Sequence, residues 1–132
     1  MIVVDASVLA NAVGDDGSDG SDARRELRRA RDAAVPFLAD IEVVSVLRKR
    51  WLSGDLTDER FADAVEALVN LSVARHSMVP LLHRIYELRA NVTPYDAAYV
   101  ALAESLDCPL LTNDRRLAGA SGPQCEIRVV TP

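Results

Sequence analysis

Four acidic residues stand where chemistry is easiest to build: Asp5, Glu42, Asp96 and Asp114. Asp5 directly follows the apolar run Ile2-Val3-Val4, and Asp114 follows Leu110-Leu111-Thr112 after one residue. Asp96 comes just after Thr93-Pro94, and Glu42 sits among Ile41, Val43, Val44, Val46 and Leu47, poor company for a solvated carboxylate. Taken singly, each has an ordinary reading. Asp5 and Asp114 could cap helices. Asp96 and Glu42 could complement a helix dipole, worth about 0.3–1 kcal/mol each. Taken together, they would repel: two carboxylates 4 Å apart cost about 4 kcal/mol at an effective dielectric near 20. A divalent cation removes that cost. The donors are hard oxygens, which suit Mg²⁺ or Mn²⁺ rather than zinc. A metal held by Asp5, Asp96 and Asp114 would lower the pKa of a bound water and neutralise a phosphoryl oxygen, which suffices to hydrolyse a phosphodiester. Ser7 and Thr112 each lie two residues from an acid, so their hydroxyls could hold a carboxylate or a metal-bound water. The chain carries no Ser-His-Asp or Cys-His arrangement, no Gly-rich phosphate loop and no dinucleotide fingerprint.

The elements that must position these acids alternate. Ile2-Val3-Val4 predicts a buried strand, and Asp5-Ala6-Ser7 opens a helix to Val13. Residues 14–22 (GDDGSDGSD) predict a flexible acidic loop, with Asp22 capping a helix to about Ala33. Residues 35–38 predict a break. Asp40 is the expected N-cap of a helix from Ile41 to Ser53, ended by Gly54. Thr57 caps a helix to about Leu71, with Phe61, Val65, Leu68 and Val69 at helical spacing. A short strand over 72–75 and a helix from Met78 to about Ala90 follow. Thr93-Pro94 is a strong helix start, and that helix runs to about Leu106. Then come an apolar strand over Cys108–Thr112, a brief helix over Asn113–Ala118, a loop, and a last strand over Glu126–Val130. Strands alternating with helices predict an α/β fold with a parallel sheet covered on both faces. In such a sheet, ligands bind beyond the carboxyl ends of the strands, where Asp5 and Asp114 lie.

At 132 residues the chain predicts one domain over 1–132. No apolar run reaches the roughly 18–20 residues of a membrane helix, and the start carries no basic region of a signal peptide. A cytoplasmic location without membrane contact is expected. Cys108 and Cys125 make neither a disulfide framework nor a zinc site. The net charge of −5 argues against a nucleic-acid binder taken whole. Yet arginines cluster at 24–31, 48–50 and 115–116. Arg115 and Arg116, beside Asp114, are the best placed to meet phosphates.

The segments IVVDASVLANAV, ADIEVVSVLRK and TPYDAAYVALAESLDCPLLTNDRRLA, with the closing strand, resemble the PIN-domain family, and within it the VapC-type toxin ribonucleases of bacterial toxin–antitoxin pairs. The likeness extends over almost the whole chain and is most specific at TPYDAAYVALAE and LLTNDRRL. It implies a three-layer α/β/α sandwich around a mostly parallel sheet of four or five strands. It also implies that Asp5, Glu42, Asp96 and Asp114 form the catalytic set and bind Mg²⁺ or Mn²⁺ to activate water for endonucleolytic RNA cleavage. Thr112 matches the family's polar residue near the fourth acid, and Asn113 lies beside that motif. A homodimer and inhibition by a cognate antitoxin protein are further implications.

Rival readings are weaker. Asp15, Asp19, Gly20 and Glu26 fall at calcium-loop spacing, but Gly17 stands where a ligand is needed. A receiver-like signalling domain wants a late lysine, and the only lysine is Lys49. A non-catalytic PIN-fold binding module would have no need of intact acids. The faces Val44, Leu47, Trp51 and Leu82, Ile85, Tyr86 read first as core, with a dimer or partner surface as the alternative.

Overall fold

The computed structural model describes residues 1–132. Five short strands form one sheet: β1 (Ile2–Val4), β2 (Ala33–Pro36), β3 (Ala74–His76), β4 (Leu110–Thr112) and β5 (Ile127–Val129). Their spatial order is β3-β2-β1-β4-β5, and every pairing is parallel. The helices are α1 (Ala6–Gly14), α2 (Ser18–Ala30), α3 (Ala39–Leu52), α4 (Asp58–Val69), α5 (Leu82–Glu87, after a 3₁₀ turn at Val79–Leu81), α6 (Pro94–Leu106) and α7 (Arg115–Ala118). Right-handed crossovers assign the faces. The chain steps outward from β1 to β2 to β3, which puts α1–α4 on one face, where they pack on one another. It then returns past β1 to β4 and β5, which puts α5, α6 and α7 on the other. The expected α/β/α sandwich is therefore present, with five strands and a wholly parallel sheet. No helix is long and apolar enough to cross a membrane.

The order reverses between β1 and β4, so a crevice opens at their carboxyl ends. Helix α6 covers this part of the sheet. Its residues Ala97 to Ala103 are all buried, and the small alanines let it lie close on the strands. Thr93 caps it by accepting from the Asp96 N–H at 3.3 Å, with Pro94 at the first helical position.

Three expectations fail, each for a physical reason. The acidic stretch 14–22 is mostly helical: α1 extends through Gly14 and α2 begins at Ser18, before Asp22. The junction is held by Asp15, whose Oδ1 accepts from the Gly17 and Gly20 amides, and by Arg24, which donates to the Ala12 and Asp15 carbonyls. The calcium-loop spacing does not fall on a loop, because Asp19, Gly20 and Glu26 all lie in helix α2. A Cβ on Gly20 would lie 1.9 Å from the Asp15 carbonyl oxygen. Gly20→Ala gains about 1 kcal/mol of helix propensity. Overpacking against backbone at that distance costs at least the upper end of about 1–3 kcal/mol. A net loss of about 2 kcal/mol is expected in urea denaturation, and unchanged or higher stability would contradict this packing.

The break expected over 35–38 is shorter: Val35 and Pro36 belong to strand β2, and only 37–38 form the turn. Pro36 is tolerated because it sits at the strand end, past the last β1 pairing at Ala34. Asp40 is not an N-cap: α3 starts one residue earlier, and Asp40 takes a bidentate ion pair from Arg75 of β3 at 2.8 and 3.1 Å. Gly54, at φ +83°, does end α3, and Thr57 does cap α4. Of the two apolar faces, Leu47 is core, whereas Trp51, Leu82 and Tyr86 are exposed.

Candidate active site

Strand β1 is buried at all three residues, and the chain leaves the sheet at Asp5 in extended conformation. The Asp5 N–H donates to Leu111 O of β4 at 2.9 Å, which fixes its backbone over the crevice. Its carboxylate makes no capping bond to α1. Instead Oδ2 accepts from the Thr112 hydroxyl at 2.7 Å and from the Ser7 hydroxyl at 3.3 Å. Thr112 is fully buried, and its Oγ1 also accepts from the Asp114 N–H at 3.0 Å. One hydroxyl thus ties the acid after β1 to the acid after β4. Both hydroxyls singled out from sequence hold a carboxylate.

Asp114 does cap α7, its Oδ1 accepting from the Arg116 N–H at 2.9 Å. Its ordinary role is real and uses one of its two oxygens. Asp96, in the first turn of α6, and Glu42, in the first turn of α3, are half-buried. Burial pushes the Asp96 carboxyl above its usual range, and the charges of Asp5 and Asp114 push it further; Thr93 and Arg116 partly offset this. Burial likewise raises Glu42, opposed by a hydrogen bond from Tyr99 and reinforced by Asp5 and Asp96. Each of the four acids therefore feels, or is felt by, another of the set, although they come from four separate segments of chain.

A hollow of about 300 Å³ opens beside Asp96 and Asp114, lined also by Asn91, Thr93, Arg116 and Leu117. Arg116 stands at its rim, 3.6 Å from Asp114 and almost fully exposed. Arg115 is exposed and does not line it. A larger hollow of about 640 Å³ lies between the ends of α1 and α3, but its cations are engaged: Arg60 with Asp16, and Arg50 with Asn11.

The donor set fits a hard divalent cation in type and charge. No group of three His, Cys, Asp or Glu side chains stands close enough to form a ready-made cage. Magnesium does not require one, because it keeps several waters and takes one or two carboxylates directly.

Sequence reasoning missed Tyr99. Its side chain is 1% exposed, and its hydroxyl donates to Glu42 Oε1 at 2.7 Å. Its place three residues after Asp96, on the same helix face, is the signal that could have found it.

The PIN-domain family pattern matches residues 2–122. A VapC ribonuclease of Mycobacterium bovis is 42% identical over 130 residues, 98% of each chain. Ribonuclease VapC1 of Mycobacterium tuberculosis is 43% identical over 129 residues, 97% of this chain and 96% of that one. Among solved structures, VapBC2 from Rickettsia felis, bound to a DNA fragment from its promoter, superposes with a TM-score of 0.71 over 98% of both chains at 12% identity.

Proposed function

The chain belongs to the PIN-domain family, among its VapC ribonucleases, and from that premise we propose that it cuts RNA with Asp5, Glu42, Asp96 and Asp114 as the catalytic set. The observation that carries this reading is the Thr112 hydroxyl, which joins Asp5 to Asp114 at the crevice where the strand order reverses. Asp5, Asp96 and Asp114 would hold Mg²⁺ or Mn²⁺. When bound, the ion supplies a water of lowered pKa and neutralises charge on the scissile phosphate. Glu42 Oε2, the oxygen not taken by Tyr99, accepts the proton of the attacking water. Its raised pKa makes it a stronger base than an exposed glutamate. Thr112 and Ser7 keep Asp5 in one orientation. Residues 1–132 read as one domain, supported by the single sheet and the continuous apolar core.

The test is cleavage of defined transfer, ribosomal and messenger RNAs by purified protein in Mg²⁺, Mn²⁺ or chelator, beside Asp5→Asn. Loss of cleavage in both chelator and the variant is expected. Equal cleavage by the variant would remove Asp5 from the catalytic set, and no cleavage by the wild type in either metal would leave a non-catalytic binding module as the better reading.

RNA must reach an acidic pocket on a chain of net charge −5, so a cation at the rim matters. Arg116→Ala is expected to weaken binding to all RNA sequences alike and to lower the salt slope of log K by about 1. A salt series with a cleavage-dead variant reads this directly, and an unchanged slope would exclude Arg116 as a phosphate contact. A cognate antitoxin fits the same pocket, because an inserted arginine can pair bidentately with one of its carboxylates. The homodimer implied by the family resemblance is part of this proposal.

A further inference from the structure

We propose that Tyr99 is a positioning residue for RNA cleavage: its hydroxyl clamps Glu42 by Oε1 and leaves Oε2 as the oxygen available to the reaction. The inference rests on the reading of Glu42 given above. Tyr99 is the one polar side chain in the buried run Ala97 to Ala103 of α6. A phenylalanine would fill the same space and need no partner, whereas a buried hydroxyl must find one. The partner is a carboxylate 57 positions away on α3, at 2.7 Å, the length of a charge-assisted O–H···O⁻ bond. The ring is locked by packing, while Glu42 is a long side chain only half-buried at a helix start. The rigid group therefore directs the flexible one. Helix α6 carries Asp96 itself and, one turn on, holds Glu42. Burial and the Glu42 carboxylate push the Tyr99 hydroxyl far above its usual range, so it remains a donor.

The experiment measures kcat and KM in Mg²⁺ for the RNA that the wild type cuts fastest, with Tyr99→Phe, Glu42→Asp, Glu42→Gln and the double variant Tyr99→Phe/Glu42→Asp. Glu42→Asp shortens the side chain and breaks the same bond from the other side. Tyr99→Phe is expected to lower kcat about 10-fold, the scale for losing a group that orients a reacting one, with KM unchanged. In the Glu42→Asp background it should add less than a twofold effect. Should Tyr99→Phe fold poorly, Glu42→Asp alone decides: a wild-type kcat with the tyrosine ring in place overturns the clamp. So does a Tyr99→Phe effect of equal size in both backgrounds, or none in either, while Glu42→Gln is inactive. Full activity of Glu42→Gln would instead remove the assignment of Glu42 itself.

Discussion

Asp96→Asn is expected to abolish RNA cleavage to the limit of about 100-fold loss or beyond, and at the same time to stabilise the metal-free protein at neutral pH. The loss should exceed the roughly 10–100-fold cost of removing a group that only orients a ligand, because Asp96 is proposed to be a ligand. The stabilisation follows from linkage. Burial first, then the charges of Asp5 and Asp114, raise the Asp96 pKa in the fold. A raised acid binds its proton more tightly folded than unfolded. Its stabilising contribution is therefore present below the unfolded pKa of about 3.9 and is lost as pH rises through the higher folded value. At pH 7 wild-type Asp96 carries that penalty and asparagine does not. The carboxylate also gains about 0.3–1 kcal/mol from the α6 dipole, which the variant forfeits. The net upward shift says that burial and repulsion win. Calorimetry in chelator should find the variant melting above wild type at pH 7, with the gap closing toward pH 4. A variant less stable at pH 7, with no such pH dependence, would mean that Asp96 is not crowded by like charge.

The second large effect is expected at Thr112. Thr112→Val keeps the shape and removes the hydroxyl. Asp5 loses a donor at 2.7 Å, and the Asp114 N–H loses its acceptor at 3.0 Å, in a fully buried spot. A hydrogen bond to a charged group is worth about 1.5–3 kcal/mol, and an orphaned N–H adds to the loss. A destabilisation of about 2–4 kcal/mol is expected in urea denaturation, with about 10–100-fold slower cleavage. Thr112→Ser retains the hydroxyl and should recover most of both. Wild-type stability and rate in Thr112→Val would show that the two acids are held independently.

The parts of this site written in local sequence were legible. Ile2-Val3-Val4 before Asp5, Leu110-Leu111-Thr112 before Asp114, and Thr93-Pro94 before Asp96 each mark an element boundary within a few residues. Segments whose structure depends on which particular side chains and strands meet in the fold were not. The stretch GDDGSDGSD has the composition of a loop; it becomes helical because Asp15 and Arg24 satisfy the backbone at the turn between two helices. Strand β2 hid behind Pro36, whose missing N–H matters only if the strand continues on the β1 side. Tyr99 was not singled out because its hydrogen-bond partner, Glu42, lies 57 positions away. That acids from four segments influence one another depends on the strand order, which no window of sequence contains; there the family pattern supplied what periodicity lacked.

The most direct test is calorimetric titration of Mg²⁺ and Mn²⁺ into the wild type and into Asp5→Asn, Asp96→Asn and Asp114→Asn separately. A shared site predicts that wild type binds and that each single variant, wherever its residue lies in the chain, loses at least about tenfold in affinity. A wild type that takes up neither ion, or three variants that bind as well as it does, would contradict the account.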